Sequence, residues 1–255
     1  MWRDFEHQWL REFEGVWTVS EQDRSQAISA GSRREATFVV PNGVDPNWFK
    51  HAEWHASEPE ILYVGSFRHF PNIIGFEKLC TAIMPRVWRR HENALLRVVA
   101  GPEPEKHWRR FMGGRIPMKF DLRIRVEGFS EDLRPHYTNA LVVVAPLAVS
   151  AGTNIKVLEA LACGKALVST SFGCQGLELS DGHNVLIRDR WDEFAEAVNE
   201  LIANEDLRRA IGAEARRVAE SRFAWGQIAD GAYATYAIVA GTEQRLRKLR
   251  IKRNA

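Results

Sequence analysis

Residues 140–170 constrain the fold of this chain more than any other stretch. Residues 140–147, Ala-Leu-Val-Val-Val-Ala-Pro-Leu, form a nearly unbroken apolar run rich in β-branched side chains. The run is too short for a core helix, so it predicts a strand buried on both faces. A loop over 148–152 follows, and residues 153–163 then place Ile155, Leu158 and Ala162 at helical spacing, with Gly164 positioned to stop the helix. Residues 166–170, Ala-Leu-Val-Ser-Thr, predict the next strand. The result is a parallel βαβ unit with a small-residue loop at the helix N-terminus. Free N–H groups and the positive end of the helix dipole converge there, which makes it a natural anion site.

Strands alternate with helices on both sides of this unit. Further strands are expected at 61–65, 95–101, 124–128 and 184–187. A helix beginning near Asn72 carries the stripe Phe76, Leu79, Cys80, Ile83 and Val87, and short helices are expected after Pro102 and from Ser130. Two longer ones follow, one with the face Trp191, Phe194, Ala195, Val198, Leu201 and Ile202, the other over 206–222. This regularity predicts an α/β fold, one doubly wound, Rossmann-like parallel sheet whose ligands bind at the carboxyl ends of the strands. Residues 1–50 break the pattern. They offer an aromatic helical stripe (Trp2, Phe5, Trp9, Leu10, Phe13) and two strands, at 16–20 and 37–41, with one helix between them. Two strands cannot bury their own faces, so this segment is expected to be an incomplete part of a second domain. The expected organisation is an amino-terminal remnant over 1–50, a polar linker over 51–60, a binding domain over 61–240 and a basic tail over 241–255.

Charge and cysteine usage exclude several functions. The net charge of +2 over 255 residues hides a cluster of six cations in the last eleven positions, Arg245, Arg247, Lys248, Arg250, Lys252 and Arg253. Taking those six and Glu243 from 35 basic and 33 acidic residues leaves 29 against 32, so the body is mildly acidic and no nucleic-acid partner is expected. Cys80, Cys163 and Cys174 are odd in number and unclustered, which argues for reduced thiols and against a metal site or a disulfide frame. The first residues lack the order of a signal peptide, and no apolar run approaches the ~18 residues of a membrane span. A cytoplasmic protein is expected. The tail interleaves Leu246, Leu249 and Ile251 with its cations, which leaves open a frayed terminus or weak contact with an anionic membrane surface at the inner face.

The turn after the first strand of the main sheet, Gly65-Ser66-Phe67-Arg68-His69-Phe70-Pro71-Asn72, lacks Gly-x-Gly-x-x-Gly, and no P-loop run occurs anywhere. Hydride transfer and NTP hydrolysis are therefore disfavoured. Several blocks together carry a resemblance: Val39-Val40-Pro41-Asn42-Gly43-Val44-Asp45, Tyr63-Val64-Gly65-Ser66 with Pro71-Asn72, Val126-Glu127-Gly128-Phe129, and Pro146-Leu147 through Ala151-Gly152-Thr153 to Lys156-Val157-Leu158-Glu159-Ala160. From about Val16 to Tyr236 the chain resembles the carboxyl half of GT-B glycosyltransferases of family four, the "group 1" transferases. That resemblance implies two Rossmann-like domains, the amino-terminal one for the acceptor and the carboxyl one for a nucleotide diphosphate sugar, with transfer that retains anomeric configuration. The helix after Phe223-Ala224-Trp225 resembles the family's closing segment, which crosses back to the amino-terminal domain.

The resemblance also implies the donor site. Glu159 corresponds to the second Glu of the family's Glu-x7-Glu motif and would accept both ribose hydroxyls, against a plain ion pair with Lys156 one turn earlier. Gly152 and Thr153 would present backbone N–H groups to phosphate, against a simple N-cap by Thr153. Lys156 is the candidate phosphate cation and Arg68 a second, each against a solvated side chain. Gly65, in the turn after the first strand of the main sheet, belongs to the same donor-binding set, and Gly128 and Phe129 would offer backbone contacts to the base, against a simple strand-to-helix turn. No cofactor or metal is implied, because helix N-termini and cations neutralise the departing diphosphate. The sequence departs from the family at position 151, where Ala151 replaces the first Glu, and Ser66 and Pro71 stand where the family often has Arg and Lys. The usual acceptor-domain residues are missing, so no catalytic residue is assigned. The expected partners are a nucleotide sugar, a glycan or lipid-linked acceptor, and a separate amino-terminal domain chain or a second copy in a homodimer. The alternative is a non-catalytic nucleotide-sugar-binding or partner-binding module.

Overall fold

The computed structural model describes residues 2–51, 58–114, 121–149 and 153–241, and the chain divides into two compact units. The amino-terminal segment begins with α1 (Trp2–Trp9), β1 (Val16–Thr18), α2 (Glu21–Ser29) and β2 (Thr37–Val39). Helix α2 starts at Ser20, whose hydroxyl accepts the Asp23 N–H at 3.1 Å, and β1 pairs with β2 in parallel. The aromatic stripe of α1 and the segment after it is not a buried face. Phe5, Trp9, Phe13 and Trp17 are all exposed, at 44–53%.

The body, Val44–Ser221, is the doubly wound unit. Its elements run β3 (Glu60–Val64), α3 (Phe70–Lys78), α4 (Met84–Val87), β4 (Leu95–Val99), α5 (Pro104–Phe111), β5 (Ile124–Glu127), α6 (Arg134–Asn139), β6 (Val142–Ala145), α7 (Ile155–Ala162), β7 (Leu167–Ser169), β8 (Leu186–Ile187), α8 (Trp191–Ala203) and α9 (Glu205–Arg222). The strands lie in the order β5-β4-β3-β6-β7-β8, and every neighbouring pair is parallel. From β3 the chain steps outward to β4 and β5, then returns to β6 on the other side of β3 and steps outward again. The reversal lies between β3 and β6, and loops diverging there open a crevice at the carboxyl edge.

The apolar runs account for the buried strands. All four residues of β6 are buried, as are Ile61, Leu62 and Tyr63 of β3. Arg97 is the charged exception in β4. It pairs with Glu60 at 2.8 Å and with Glu127, so it carries its charge between two carboxylates. Helices α3 and α4 are joined by one π turn, Leu79–Ile83, where the Met84 N–H reaches back to the Leu79 carbonyl. Pro85 supplies the reason, since it has no N–H for the carbonyl four residues earlier and its ring crowds that turn.

Helix α10 (Trp225–Ala240) belongs with the amino-terminal segment, as the resemblance implies for the closing helix. Val239 packs over Gly15 and Trp225 over Gly43, so that a Cβ on either glycine would meet them at 2.7 Å. Most of the linker expected at 51–60 and nearly all of the basic tail lie outside the described residues.

Phe76 on α3 ties the core together. It packs against Phe67 at 5.1 Å between ring centroids and edge-on against Trp108 of α5 at 5.5 Å. Phe76→Ala is expected to lower unfolding stability by about 3–5 kcal/mol in urea denaturation, the cost of a large core cavity. A loss below about 1 kcal/mol would contradict this packing.

Candidate functional site

The crevice between β3 and β6 is built from the ends of those strands and the start of α7. The Gly65 N–H donates to Val99 O at 2.9 Å and the Phe67 N–H to Ala100 O at 2.8 Å, which clamps the turn after β3 onto the end of β4. Asn72, at the start of α3, is fixed twice. Its Nδ2 donates to Ser66 O at 2.9 Å, and its backbone carbonyl accepts the Tyr63 hydroxyl at 2.9 Å. The amide oxygen is thereby turned toward α7.

Lys156 meets it from the other side of the crevice. Its Nζ donates to Asn72 Oδ1 at 2.6 Å and lies 5.2 Å from the Tyr63 ring centroid. Gly65 makes room for the pair, because a Cβ there would fall 2.9 Å from Asn72 Cγ and 3.0 Å from Lys156 Nζ. Lys156 is the second residue of α7, where the helix dipole disfavours a cation. Burial lowers its pKa to about 8, with Glu159 acting in the opposite sense. An ammonium has three donors, and Asn72 Oδ1 takes one of them. An anion at this helix end would reverse both penalties.

Glu159 lies one turn further along α7. Its Oε2 accepts the Tyr137 hydroxyl at 2.7 Å, and Tyr137 is buried on α6 with Phe49 edge-on at 5.9 Å. Burial raises the pKa of Glu159, while Tyr137 and Lys156 hold it down. Lys156 and Glu159 form no salt bridge with each other among the described contacts, so the simple ion-pair reading fails; Lys156 instead turns across the crevice.

The sequence-derived residues divide into two groups. Gly65, Lys156 and Glu159 come together, with Thr153 just ahead of α7. Gly152 lies outside the described residues. The N-cap of α7 is Asn154 rather than Thr153, and its side chain does not cap the helix. Asn154 Nδ2 instead donates to Gly173 O at 2.9 Å, tying the helix start to the loop after β7. Arg68 stands exposed in the turn after β3, near Glu103 at the head of α5, whose pKa is lowered chiefly by Lys106 and only slightly by Arg68. Gly128 and Phe129 follow β5, two strands from β3 and roughly 10 Å away by strand spacing, with Phe129 72% exposed. Sequence reasoning missed Tyr63 and Tyr137 as site residues and noted Asn72 only as part of a motif.

A cavity of about 510 Å³ lies elsewhere, at the amino edge of the sheet beside Leu141 and Ala166, and is lined by His51, Lys165, Glu205, Arg208 and Arg209. Its cations are already engaged. Lys165 Nζ donates to Thr138 O at 3.0 Å, Arg208 to Leu201 O at 2.7 Å, and Arg209 pairs with Glu205 at 2.9 Å. The donors of Lys156 that Asn72 does not take favour the crevice at the carboxyl edge instead. Among the described residues no group of three or more His, Cys, Asp and Glu could hold a metal ion, and no helix is long and apolar enough to cross a membrane.

Comparison with known proteins places these features in a family. Residues 58–204, more than half of the chain, match the family model described as "Glycosyl transferases group 1". The "D-inositol 3-phosphate glycosyltransferase" of Corynebacterium jeikeium is 31% identical over 219 residues, covering 79% of this chain and 51% of that protein. The "Spore coat protein SA" of Bacillus subtilis is 28% identical over 81 residues, 31% of this chain and 22% of that protein. In fold, a glycosyltransferase from Rickettsia africae superposes with a TM-score of 0.77 at 13% identity, over 93% of this chain and 66% of that one. Anabaena Alr3699/HepE, solved in complex with UDP and glucose, gives 0.68 at 19% identity, over 89% and 64%. The chain thus spans about half or less of these curated relatives and just under two thirds of these structures.

Gly65→Ala is expected to destabilise the body by about 1–3 kcal/mol, because the new methyl meets Asn72 and Lys156 at overpacked distances. Gly128→Ala places its methyl 3.7 Å from Gly101 O, an ordinary contact, and is expected to cost under about 1 kcal/mol. Equal losses in chemical denaturation would contradict the close approach at Gly65.

Proposed function

This chain belongs to the group 1 glycosyl transferases, and from that premise we propose that its body binds the nucleotide diphosphate of a sugar donor at the carboxyl edge of the sheet, centred on α7. The observation that carries the reading is the Lys156 ammonium, drawn to a helix N-terminus by Asn72 and left with donors to spend. In this reading Lys156, the α7 N-terminus and the backbone of Gly152 and Thr153 neutralise the diphosphate without a metal. Glu159 accepts the ribose hydroxyls. Gly128 and Phe129 flank the base, and Arg68 is a second cation for the diphosphate. Sugar transfer with retention to a glycan or lipid-linked acceptor is proposed on the resemblance to the family, and these side chains do not carry it. The acceptor would be brought by a further amino-terminal domain, by a separate chain or by a second copy. Exposed aromatic residues of the amino-terminal unit, Trp9 and Trp17 with Tyr233 and Tyr236 of α10, suit such a joining surface.

Calorimetry with UDP, GDP and ADP sugars tests the reading. One of the three is expected to bind, and Glu159→Ala should weaken it by about tenfold to a hundredfold, the worth of a charge-assisted hydrogen bond. No heat with any of them would sink donor binding. Binding with no transfer to any acceptor would mark the chain as a binding module.

The pH dependence has a definite sign. With a pKa of about 8 in the free protein, Lys156 is charged at neutral pH and loses its proton above that value. A bound diphosphate raises that pKa, so affinity should be flat from about pH 6 to 7.5 and fall by up to roughly tenfold per pH unit above 8. Lys156→Arg should remove the fall, since arginine keeps its charge throughout this range. A fall that persists in Lys156→Arg would assign the titration to another group.

A further inference from the structure

Tyr137 was invisible to sequence reasoning, yet it makes the closest contact with the carboxylate assigned to the ribose. Its hydroxyl has one proton and two acceptors in reach, Glu159 Oε2 at 2.7 Å and Lys156 O at 3.2 Å. The nearer, charged acceptor takes it. Burial, followed by the charge of Glu159, raises the phenol well above its ordinary pKa, so Tyr137 remains a donor throughout the working range. The ring is held in turn. Phe49 stands edge-on against it at 5.9 Å, and the Phe49 carbonyl accepts from Arg216 Nη1 at 2.7 Å. Tyr137 therefore holds Glu159 from a rigid wall.

Resting on the donor-site reading above, we propose that Tyr137 is a positioning residue for donor binding: its buried hydroxyl fixes Glu159 through Oε2, so that the other carboxylate oxygen is presented to the ribose diol. The charge state of Glu159 follows from the same contact. Burial pushes its carboxyl pKa up, and two groups pull it down, Tyr137 from α6 and Lys156 from its own helix. Cys163, at the end of α7, is the other titratable group that feels Glu159; burial pushes its thiol up to about 12, so it stays neutral. The ionised carboxyl offers only acceptors to the two hydroxyl hydrogens, whereas the protonated form has a proton of its own to place against them. Losing the Tyr137 hydroxyl therefore costs both orientation and charge.

Tyr137→Phe in the full chain removes one oxygen and keeps the ring against Phe49. Two readouts are needed: the titration of the Glu159 carboxylate by 13C NMR, and the affinity for UDP, GDP and ADP across pH 5.5–8. The carboxylate is expected to titrate higher in Tyr137→Phe than in the parent. Affinity for the diphosphate that binds should drop about tenfold near pH 6 and recover toward pH 8, because the carboxylate form is the one that binds. In a Glu159→Gln background the same substitution should have little further effect, the non-additivity of a coupled pair. Phe49→Leu leaves the hydroxyl in place but loosens its wall, and should move both readouts the same way by less.

A core tyrosine with no positioning role would leave the pH profile unmoved. An unshifted Glu159 titration in both Tyr137→Phe and Phe49→Leu overturns the proposal through Tyr137 itself. A shifted titration, combined with diphosphate affinity that Glu159→Ala leaves intact, overturns it through the donor-site reading on which it rests.

Discussion

A lysine ammonium held at the positive end of a helix is the constraint on which this site depends. Lys156 enters α7 at its second position, where dipole and burial both oppose its charge. It is kept there by one hydrogen bond, to Asn72 Oδ1 from the far side of the crevice. That bond joins the end of β3 and the start of α3 to the start of α7 across the point where the strand order reverses. The arrangement is costly for an empty crevice and favourable for one that holds an anion. The turn after β3, the space at Gly65 and the amide orientation of Asn72 all serve to hold that charge in place.

The two edges of the sheet use cations in opposite ways. Helices in a parallel α/β sheet run against the strands, so their C-termini gather at the amino edge with unpaired carbonyls. Lys165 bonds Thr138 at the end of α6, Arg216 bonds Ala162 at the end of α7, and Arg208 bonds Leu201 and Ile202 at the end of α8. Those charges complement the negative ends of helix dipoles, which explains why the cavity at the amino edge is lined by cations without being the better anion site. At the carboxyl edge Lys156 meets the positive end of a dipole and a neutral amide instead. Identical residue types therefore stabilise the fold at one edge and equip a site at the other.

The main sheet was legible in the sequence because each buried strand is an apolar run bounded by turn residues, as in residues 61–65 and 140–147. Lys156 and Glu159 were legible because helical spacing and a family motif converge on one short segment. Tyr137 and Asn72 were not, since they reach α7 from 22 and 84 residues away and only the strand order brings them there. The aromatic stripe at residues 2–13 shows a different limit. Periodicity shows which residues share a helical face, but not whether anything covers that face, and Phe5 and Trp9 are exposed. The side chain of Asn154 at the N-cap of α7 turns away to carbonyls in the loop after β7, a contact no local pattern encodes.

A crystal structure of the chain with the nucleoside diphosphate that binds it would test the central claim most directly. The diphosphate is expected at the start of α7, within hydrogen-bond reach of Lys156 Nζ, with the ribose diol on Glu159. Density for it among Lys165, Arg208 and Arg209 at the amino edge, with Lys156 still bonded only to Asn72, would contradict the account.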